Sequence, residues 1–151
     1  MAKNQKNNYS GVRSKRSKLK RLKVLITGSE GFIGSAITKE LLKRKLDIYG
    51  VGKKERNITK YKYFNLNLYN SKKTNDFFNK YSFDTIIHTA WVTNPKTMRN
   101  STLNDKWLEI SKKILNLHIK NNGSNFYCVG TSDEYTRIKN VNNKCEENKS
   151  K

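Results

Sequence analysis

Apolar residues in this chain form short continuous runs that alternate with stretches in which they recur every three or four positions. The first run, residues 23–26, is short, rich in strand-forming residues and followed by Thr27-Gly28, which indicates a buried strand. Residues 32–45 then show the spacing of an amphipathic helix, whose apolar face is formed by Ile33, Ile37, Leu41 and Leu42. The pattern therefore predicts a strand followed directly by a helix.

The same alternation continues to about residue 135 and then stops. It predicts further strands at residues 47–51, 61–66, 84–88 and 125–129, and further helices at 70–80 and 101–121. Asn70 or Ser71 is suited to cap the second helix, and Gly123 to end the third. Strands joined through right-handed helical connections form a parallel sheet. We therefore predict an α/β fold, a Rossmann-type parallel sheet with helices on both faces and strand order 3-2-1-4-5.

A glycine-rich turn lies between the first strand and the first helix, at residues 27–34. Gly28 permits the tight turn, Gly31 lets the backbone approach a pyrophosphate, and Gly34 lets the helix lie close to the strand. The backbone N–H groups of Phe32 and Ile33 then face the anion at the amino end of the helix. These five residues are predicted to bind a dinucleotide; the alternative is that the glycines serve only the turn.

The end of the second strand indicates which dinucleotide is bound. NAD sites usually place an acid there to hold the ribose 2′-hydroxyl, but this chain has Lys53 and Lys54, with Arg56 following. Cations suit a 2′-phosphate, so NADP is favoured over NAD as the cofactor. The alternative is that both lysines are ordinary solvated charges in a lysine-rich chain.

Charge is distributed unevenly along the sequence. Of the 32 Lys and Arg residues, nine lie within residues 1–23, where there is no acidic residue. Such a segment repels itself, stays solvated and can bind polyanions non-specifically; the alternative is a disordered leader without function. It has no apolar core of a secretory signal, and no stretch of the chain predicts a membrane span. Cys128 and Cys145 indicate neither a disulfide framework nor a metal site, and a reducing cytoplasmic location is expected.

Four segments together resemble the extended short-chain dehydrogenase/reductases, the nucleotide-sugar epimerase/dehydratase family. They are the T-G-x-x-G-x-x-G spacing at 27–34, Asn67-Leu68, residues 87–91 (IHTAW) and residues 129–135 (VGTSDEY). The resemblance implies that Asn67 and Leu68 contact the adenine and that Thr89 and Ala90 lie along the cofactor. It also implies that Thr131 occupies the position of the catalytic Ser/Thr, whose hydroxyl binds the reacting oxygen of a nucleotide-sugar substrate.

The family's acid/base pair is a Tyr-x-x-x-Lys, in which the lysine lowers the pKa of the tyrosine. Counted from Thr131, this motif would fall just past Lys151, and Tyr135 with Lys139 occupies a place where relatives carry a non-catalytic tyrosine. The expectation is therefore a fragment, truncated before the last strands and the substrate domain. Its expected parts are a basic leader (1–21), a cofactor-binding domain (22–135) and a polar segment (136–151).

The remaining candidate residues favour structural roles. His88, at a strand end, is expected to be packed or next to the cofactor, and His118 to lie at the surface. Trp91, Trp107 and Cys128 are expected in the core.

Three functions remain open on this evidence. The first is the cofactor-binding portion of a nucleotide-sugar epimerase, dehydratase or reductase, which transfers hydride at a sugar carbon in the intact enzyme. The second is a non-catalytic dinucleotide-binding module that pairs into a homodimer, because the expected truncation leaves apolar surface uncovered. The third is a nucleic-acid-binding protein that uses its basic tail.

Overall fold

The computed structural model describes residues 20–93 and 101–130. The predicted leader (mostly within 1–19), the loop that contains Pro95, and residues 131–151 with Thr131 lie outside the described residues. The strands are β1 (Lys23–Thr27), β2 (Asp47–Gly52), β3 (Lys62–Asn65), β4 (Thr85–His88) and β5 (Asn125–Cys128). The helices are α1 (Phe32–Leu41), α2 (Ser71–Lys80) and α3 (Leu103–Lys120).

The five strands form one parallel sheet in the order β3-β2-β1-β4-β5. The predicted fold class and strand order are thus confirmed. The central strand β1 pairs on both sides, so that Ile26 lies opposite Gly50 of β2 and Ile87 of β4. Because successive side chains point to opposite faces, β1 contributes to two separate cores.

One core lies between the sheet and helices α2 and α3. Leu25 and Ile86 are fully buried there, together with Phe78 of α2 and Ile114 of α3. The other core lies between the sheet and α1. Val24, Ile26 and Ile48 are packed there by residues in and after α1, namely Ile37, Leu41, Leu42 and Leu46. Helices therefore cover both faces of the sheet, as expected.

Local signals explain where the helices begin and end. The side chain of Asn70 accepts a hydrogen bond from the Lys73 amide at 2.9 Å and caps α2. Helix α1 ends at Leu41 rather than at residue 45, because residues 42–45 form a turn in which the Arg44 amide donates to the Leu41 carbonyl. The third helix is followed by Asn122 in the left-handed conformation (φ 58°).

The expectations for the burial of His118 and Cys128 were wrong. His118 is 3% exposed, because its ring lies where a side chain on Gly123 would be and bonds to the Asn125 carbonyl at 2.9 Å. Burial lowers the pKa of His118. Cys128 is exposed rather than in the core, because β5 is the edge strand of the described sheet and Cys128 ends it.

Candidate functional site

A cleft of about 540 Å³ opens at the carboxyl ends of the strands. The chain moves from β1 to β2 on one side and returns to β4 on the other, so the cleft lies where the strand order reverses. Open parallel sheets bind ligands at this place. The lining comes from five segments, and its residues are Gly28, Glu30, Gly31, Val51, Gly52, Lys53, Lys54, Arg56, Tyr63, Leu66, Leu68, Tyr69, Thr89, Ala90, Trp91, Val92, Thr93, Leu103 and Trp107.

The glycine turn is held tightly between β2 and β4. Gly28 adopts a positive φ of 69°, and a Cβ there would lie 3.0 Å from the backbone of Ala90. Its amide donates to the Val51 carbonyl at 2.7 Å. A Cβ on Gly34 would collide with the Gly28 carbonyl oxygen, so α1 rests directly on the turn. Both glycines are therefore required by the packing of the turn itself.

The amino end of α1 faces the cleft without a side-chain cap. Gly31 precedes the helix with extended backbone (φ −76°, ψ 174°), and the first turn of α1 contains no acidic residue. The first-turn amides of Phe32 and Ile33 thus keep the donor capacity and positive dipole end that bind anions. Their side chains point away into solvent, 95% and 46% exposed respectively. This arrangement can accept a pyrophosphate through the backbone alone.

The segment that follows β2 lines the cleft with cations, and its one acid, Glu55, does not line the cleft. Lys53, Lys54 and Arg56 all line the cleft. The Lys53 ammonium lies 4.9 Å above the Tyr69 ring, a cation–π contact that draws the side chain toward the cleft. A Cβ on Gly52, the last residue of β2, would lie 2.5 Å from the Tyr63 hydroxyl. That hydroxyl donates to the Lys54 carbonyl at 2.6 Å and so fixes the loop that carries the cations.

Glu30, which sequence reasoning did not single out, supplies a carboxylate to this part of the cleft. Its Oε1 accepts a hydrogen bond from the Tyr61 hydroxyl at 2.5 Å, and its Oε2 lies 3.9 Å from Arg56 Nε. Burial, reinforced by the bond to Glu30, raises the pKa of Tyr61 to about 12. No motif marks Glu30, because its partners lie 26 and 31 positions further along the chain.

The wall opposite β2 is formed by the residues that follow β4. Thr89 and Ala90 line the cleft, and the Thr89 hydroxyl donates to the Thr27 carbonyl at 2.7 Å. The preceding residue, His88, is 1% exposed. It is therefore packed, which is one of the two positions expected for it. Burial lowers the pKa of His88 to about 4.

Hydrogen bonds fix the tautomer of the neutral His88 ring. The Ser111 hydroxyl donates to the Trp107 carbonyl at 2.8 Å, so its oxygen accepts from His88 Nε2, also at 2.8 Å. With its proton on Nε2, the ring accepts at Nδ1 from the Thr27 hydroxyl at 2.7 Å. His88 thus ties α3 to the residue that enters the glycine turn.

An aromatic group closes one end of the cleft. Trp107 is 7% exposed, as expected for a core residue, and its ring packs edge-on against Tyr69 with the centroids 5.1 Å apart. Trp91 is 41% exposed and lines the cleft, so its expected place in the core was wrong. It follows the end of β4, where the side chain faces the cleft rather than the sheet.

The structure brings most of the sequence-predicted site residues together. Gly28, Gly31, Lys53, Lys54, Leu68, Thr89 and Ala90 line the cleft, and Gly34, Phe32 and Ile33 form the first turn of α1 beside it. Asn67 is exposed and does not line the cleft, although Leu66 and Leu68 on either side of it do. Its Oδ1 accepts from the Tyr69 amide at 3.2 Å. Thr131 lies outside the described residues.

Sequence comparison identifies the family of the chain. A family model described as "NAD dependent epimerase/dehydratase family" matches residues 24–150. The chain belongs to this family. No protein of curated function matches it significantly.

Solved structures resemble this epimerase/dehydratase-family chain in fold. The UDP-Glc/GlcNAc 4-epimerase of Campylobacter jejuni is 20% identical with a TM-score of 0.67, and the match covers 79% of this chain and 40% of that one. The Thermotoga maritima UDP-glucose 4-epimerase with UDP-glucose is 17% identical with a TM-score of 0.67, and the match covers 80% of this chain and 41% of that one. The Thermus thermophilus UDP-glucose 4-epimerase complex with NAD is 23% identical with a TM-score of 0.61, and the match covers 70% of this chain and 36% of that one. The chain thus spans about two fifths of these proteins, and at such identities the likeness shows the fold alone.

Within residues 20–93 and 101–130, no helix is long and apolar enough to cross a membrane. In the same ranges, no three His, Cys, Asp or Glu side chains are grouped as metal ligands.

Proposed function

We propose that this chain is the NAD(P)-binding portion of a nucleotide-sugar epimerase, dehydratase or reductase, and that NADP is favoured over NAD. The observation that carries the proposal is the uncapped amino end of α1, which opens onto a cleft at the strand-order reversal. The cradle fits a pyrophosphate because its glycines leave the space that side chains would fill. Membership of the epimerase/dehydratase family supports the reaction class.

Each part of the cleft has a role in this proposal. The glycine turn and the amides of Phe32 and Ile33 hold the pyrophosphate, and Lys53 and Lys54 hold a 2′-phosphate. Leu68, which lines the cleft, contacts the adenine, while Thr89 and Ala90 lie along the cofactor. The chemistry that a cofactor held by these residues would supply is hydride exchange with a sugar carbon in the intact enzyme. Thr131 would hold the reacting sugar oxygen by its hydroxyl.

The substrate class in this proposal is a nucleotide-sugar. The Thermotoga maritima structure contains UDP-glucose and the Thermus thermophilus structure contains NAD, both in proteins of the same fold. The cleft of this chain, about 540 Å³, falls within the volume range of about 300–1,000 Å³ that is usual for ligand pockets. The choice among epimerase, dehydratase and reductase depends on residues beyond the described cleft.

Calorimetric titration of the chain with NADPH and with NADH tests cofactor binding. Gly31→Leu is the informative variant, because the backbone at Gly31 suits any residue but a Cβ would lie 3.2 Å from the Gly28 carbonyl oxygen, at the rim of the cleft. We expect it to weaken binding at least tenfold. Ala36→Leu adds the same side chain at an exposed position of α1 and should leave binding within twofold. Unchanged affinity in a folded Gly31→Leu chain would contradict the proposal.

A second candidate function is a non-catalytic dinucleotide-binding module that forms a homodimer. Tyr127 and Val129, on and after the edge strand β5, are 59% and 39% exposed and offer apolar surface for pairing. This candidate predicts saturable cofactor binding, a defined dimer in sedimentation, and dissociation of that dimer by Tyr127→Lys. Steady-state turnover of a nucleotide-sugar by this chain alone would contradict it.

The basic tail supports a third activity, the non-specific binding of polyanions. Nine Lys and Arg lie within residues 1–23, with Tyr9 as the one aromatic residue among them, so sequence-specific stacking is not expected. Affinity for DNA or RNA should fall steeply with salt concentration and disappear when residues 1–20 are deleted. Affinity that survives the deletion would assign the binding to the folded domain instead.

A further inference from the structure

The cleft beside the end of β2 contains a single carboxylate among several cations. Of the described residues that line the cleft, Glu30 is the one acid, and Lys53, Lys54 and Arg56 lie on the β2 side of it. Glu30 belongs to the glycine turn, between Gly28 and Gly31. It therefore approaches the cations from the turn rather than from the strand end where dinucleotide-binding folds usually place an acid.

The two carboxylate oxygens of Glu30 are held differently. Oε1 accepts a short hydrogen bond from the Tyr61 hydroxyl, whose ring packs against the backbone of Gly50. Oε2 lies 3.9 Å from Arg56 Nε, at the limit of an ion pair. The Arg56 side chain is 50% exposed and that of Glu30 is 31% exposed. One oxygen is thus anchored to the protein, while the contact of the other with Arg56 is long, solvated and easily exchanged.

The last residue of β2 leaves no room for an acidic side chain, and Glu55, three residues later, does not line the cleft. A Cβ at Gly52 would lie 2.5 Å from the Tyr63 hydroxyl, which is fixed by its bond to the Lys54 carbonyl. An acidic side chain at this position would displace Tyr63. A carboxylate for a ribose hydroxyl can therefore come from Glu30, which is already oriented toward the cleft.

We propose that Glu30 is a specificity-determining residue that restrains the preference of this chain for a 2′-phosphorylated dinucleotide. The inference rests on the proposed cofactor-binding function. The carboxylate of Glu30 accepts hydrogen bonds, so it suits the hydroxyl of an unphosphorylated ribose. It repels a phosphate and competes with it for Arg56, whose guanidinium pairs with either anion. Glu30 and Arg56 therefore act in opposite directions on the choice between NAD and NADP.

The experiment measures the ratio of the dissociation constants for NADH and NADPH by calorimetric titration of the full chain. Glu30→Gln removes the charge and keeps an oxygen that can accept from Tyr61, so it should raise the ratio in favour of NADPH about tenfold, which corresponds to about 1.4 kcal/mol. Arg56→Gln should lower the ratio by about the same factor. Glu40→Gln removes a carboxylate that is 57% exposed and paired with Lys43, at the end of α1 and outside the lining of the cleft, and should leave the ratio unchanged.

Tyr61→Phe separates the charge of Glu30 from its anchoring. This variant keeps the carboxylate and loses the hydrogen bond, so its ratio should stay within twofold of the wild type. A Glu30→Gln ratio within twofold of the wild type, or a Tyr61→Phe ratio that moves as far as that of Glu30→Gln, would overturn the inference. A wild-type chain that binds neither nucleotide would instead overturn the proposed function, and the inference with it.

Discussion

Lowering the pH from 7.5 to 5 should destabilise this domain through His88. The ring is buried between β4 and α3, where it donates from Nε2 to Ser111 and accepts at Nδ1 from Thr27. A proton added at Nδ1 would oppose the Thr27 hydroxyl and place a charge in the core. Burial accordingly lowers the pKa of His88 to about 4, from the ordinary value of about 6.5.

The sign follows from which state binds the proton. Above pH 6.5 the ring is neutral in both the folded and the unfolded chain, so pH has no effect through this group. Between pH 6.5 and 4 the unfolded chain takes up a proton that the folded chain refuses, and stability falls. The full difference of about 2.5 pKa units corresponds to about 3.4 kcal/mol, of which about 2 kcal/mol is lost by pH 5.

Urea unfolding at pH 7.5 and at pH 5, followed by far-UV circular dichroism, measures this loss. The control is His88→Gln, which is neutral at every pH and carries both a donor and an acceptor. It is less stable at pH 7.5 but should lose about 2 kcal/mol less than the wild type between the two pH values. Burial also lowers the pKa of His118. Both proteins contain His118 and the same carboxylates, so the contributions of these groups to the loss of stability cancel in the comparison. Equal losses in the two proteins would refute the reasoning.

Three further predictions concern stability and local structure. Gly34→Ala should lower the free energy of unfolding in urea by about 3 kcal/mol, the upper end for overpacking, because its methyl group would collide with the Gly28 carbonyl oxygen. Ala36→Gly, at an exposed site of α1, should lower it by only about 1 kcal/mol, and equal losses would contradict the close packing of the turn. Asn70→Ala should lose about 1 kcal/mol with the cap of α2 and Asn70→Asp should retain most of it, so full stability of the alanine variant would exclude the cap. Acrylamide should quench the fluorescence of Trp107→Phe, which retains the half-exposed Trp91, more strongly than that of Trp91→Phe, which retains the buried Trp107. The reverse order would contradict the exposure of the two indoles.

Most of the fold could be predicted from the sequence because its signals are local. The spacing of Ile37 and Leu41 gives the buried face of α1, Asn70 marks the start of α2, and short apolar runs mark the strands. The strand order follows from right-handed connections and the position of the glycine turn after the first strand. The end of α1 was placed four residues too late, because Leu42 continues the apolar pattern into a turn that packs on the same core.

The errors about burial concern residues whose environment is set by tertiary packing rather than by the spacing of apolar positions. His118 is buried because Gly123 leaves room for its ring, which helical spacing alone does not reveal. Cys128 has a strand-like sequence context but lies at the end of the edge strand, and Trp91 leaves the sheet at the rim of the cleft. Glu30 gains its position from Tyr61 and Arg56, which only the pairing of β2 with β3 brings near the glycine turn.

Stability and the preference between NADH and NADPH should be separable in this domain, because the two depend on different layers of contacts. Thr27 connects the layers: its hydroxyl bonds to the buried His88, its carbonyl accepts from Thr89, and the next residue is Gly28. A change in the buried layer, such as His88→Gln, loosens the walls of the cleft. It should lower the affinities for NADH and NADPH equally while it destabilises the fold. A change in the layer that lines the cleft, such as Glu30→Gln, removes one charge of the partly exposed pair with Arg56. It should alter the ratio of the two affinities at nearly constant stability. If His88→Gln altered that ratio instead, the cleft would not be built as two layers.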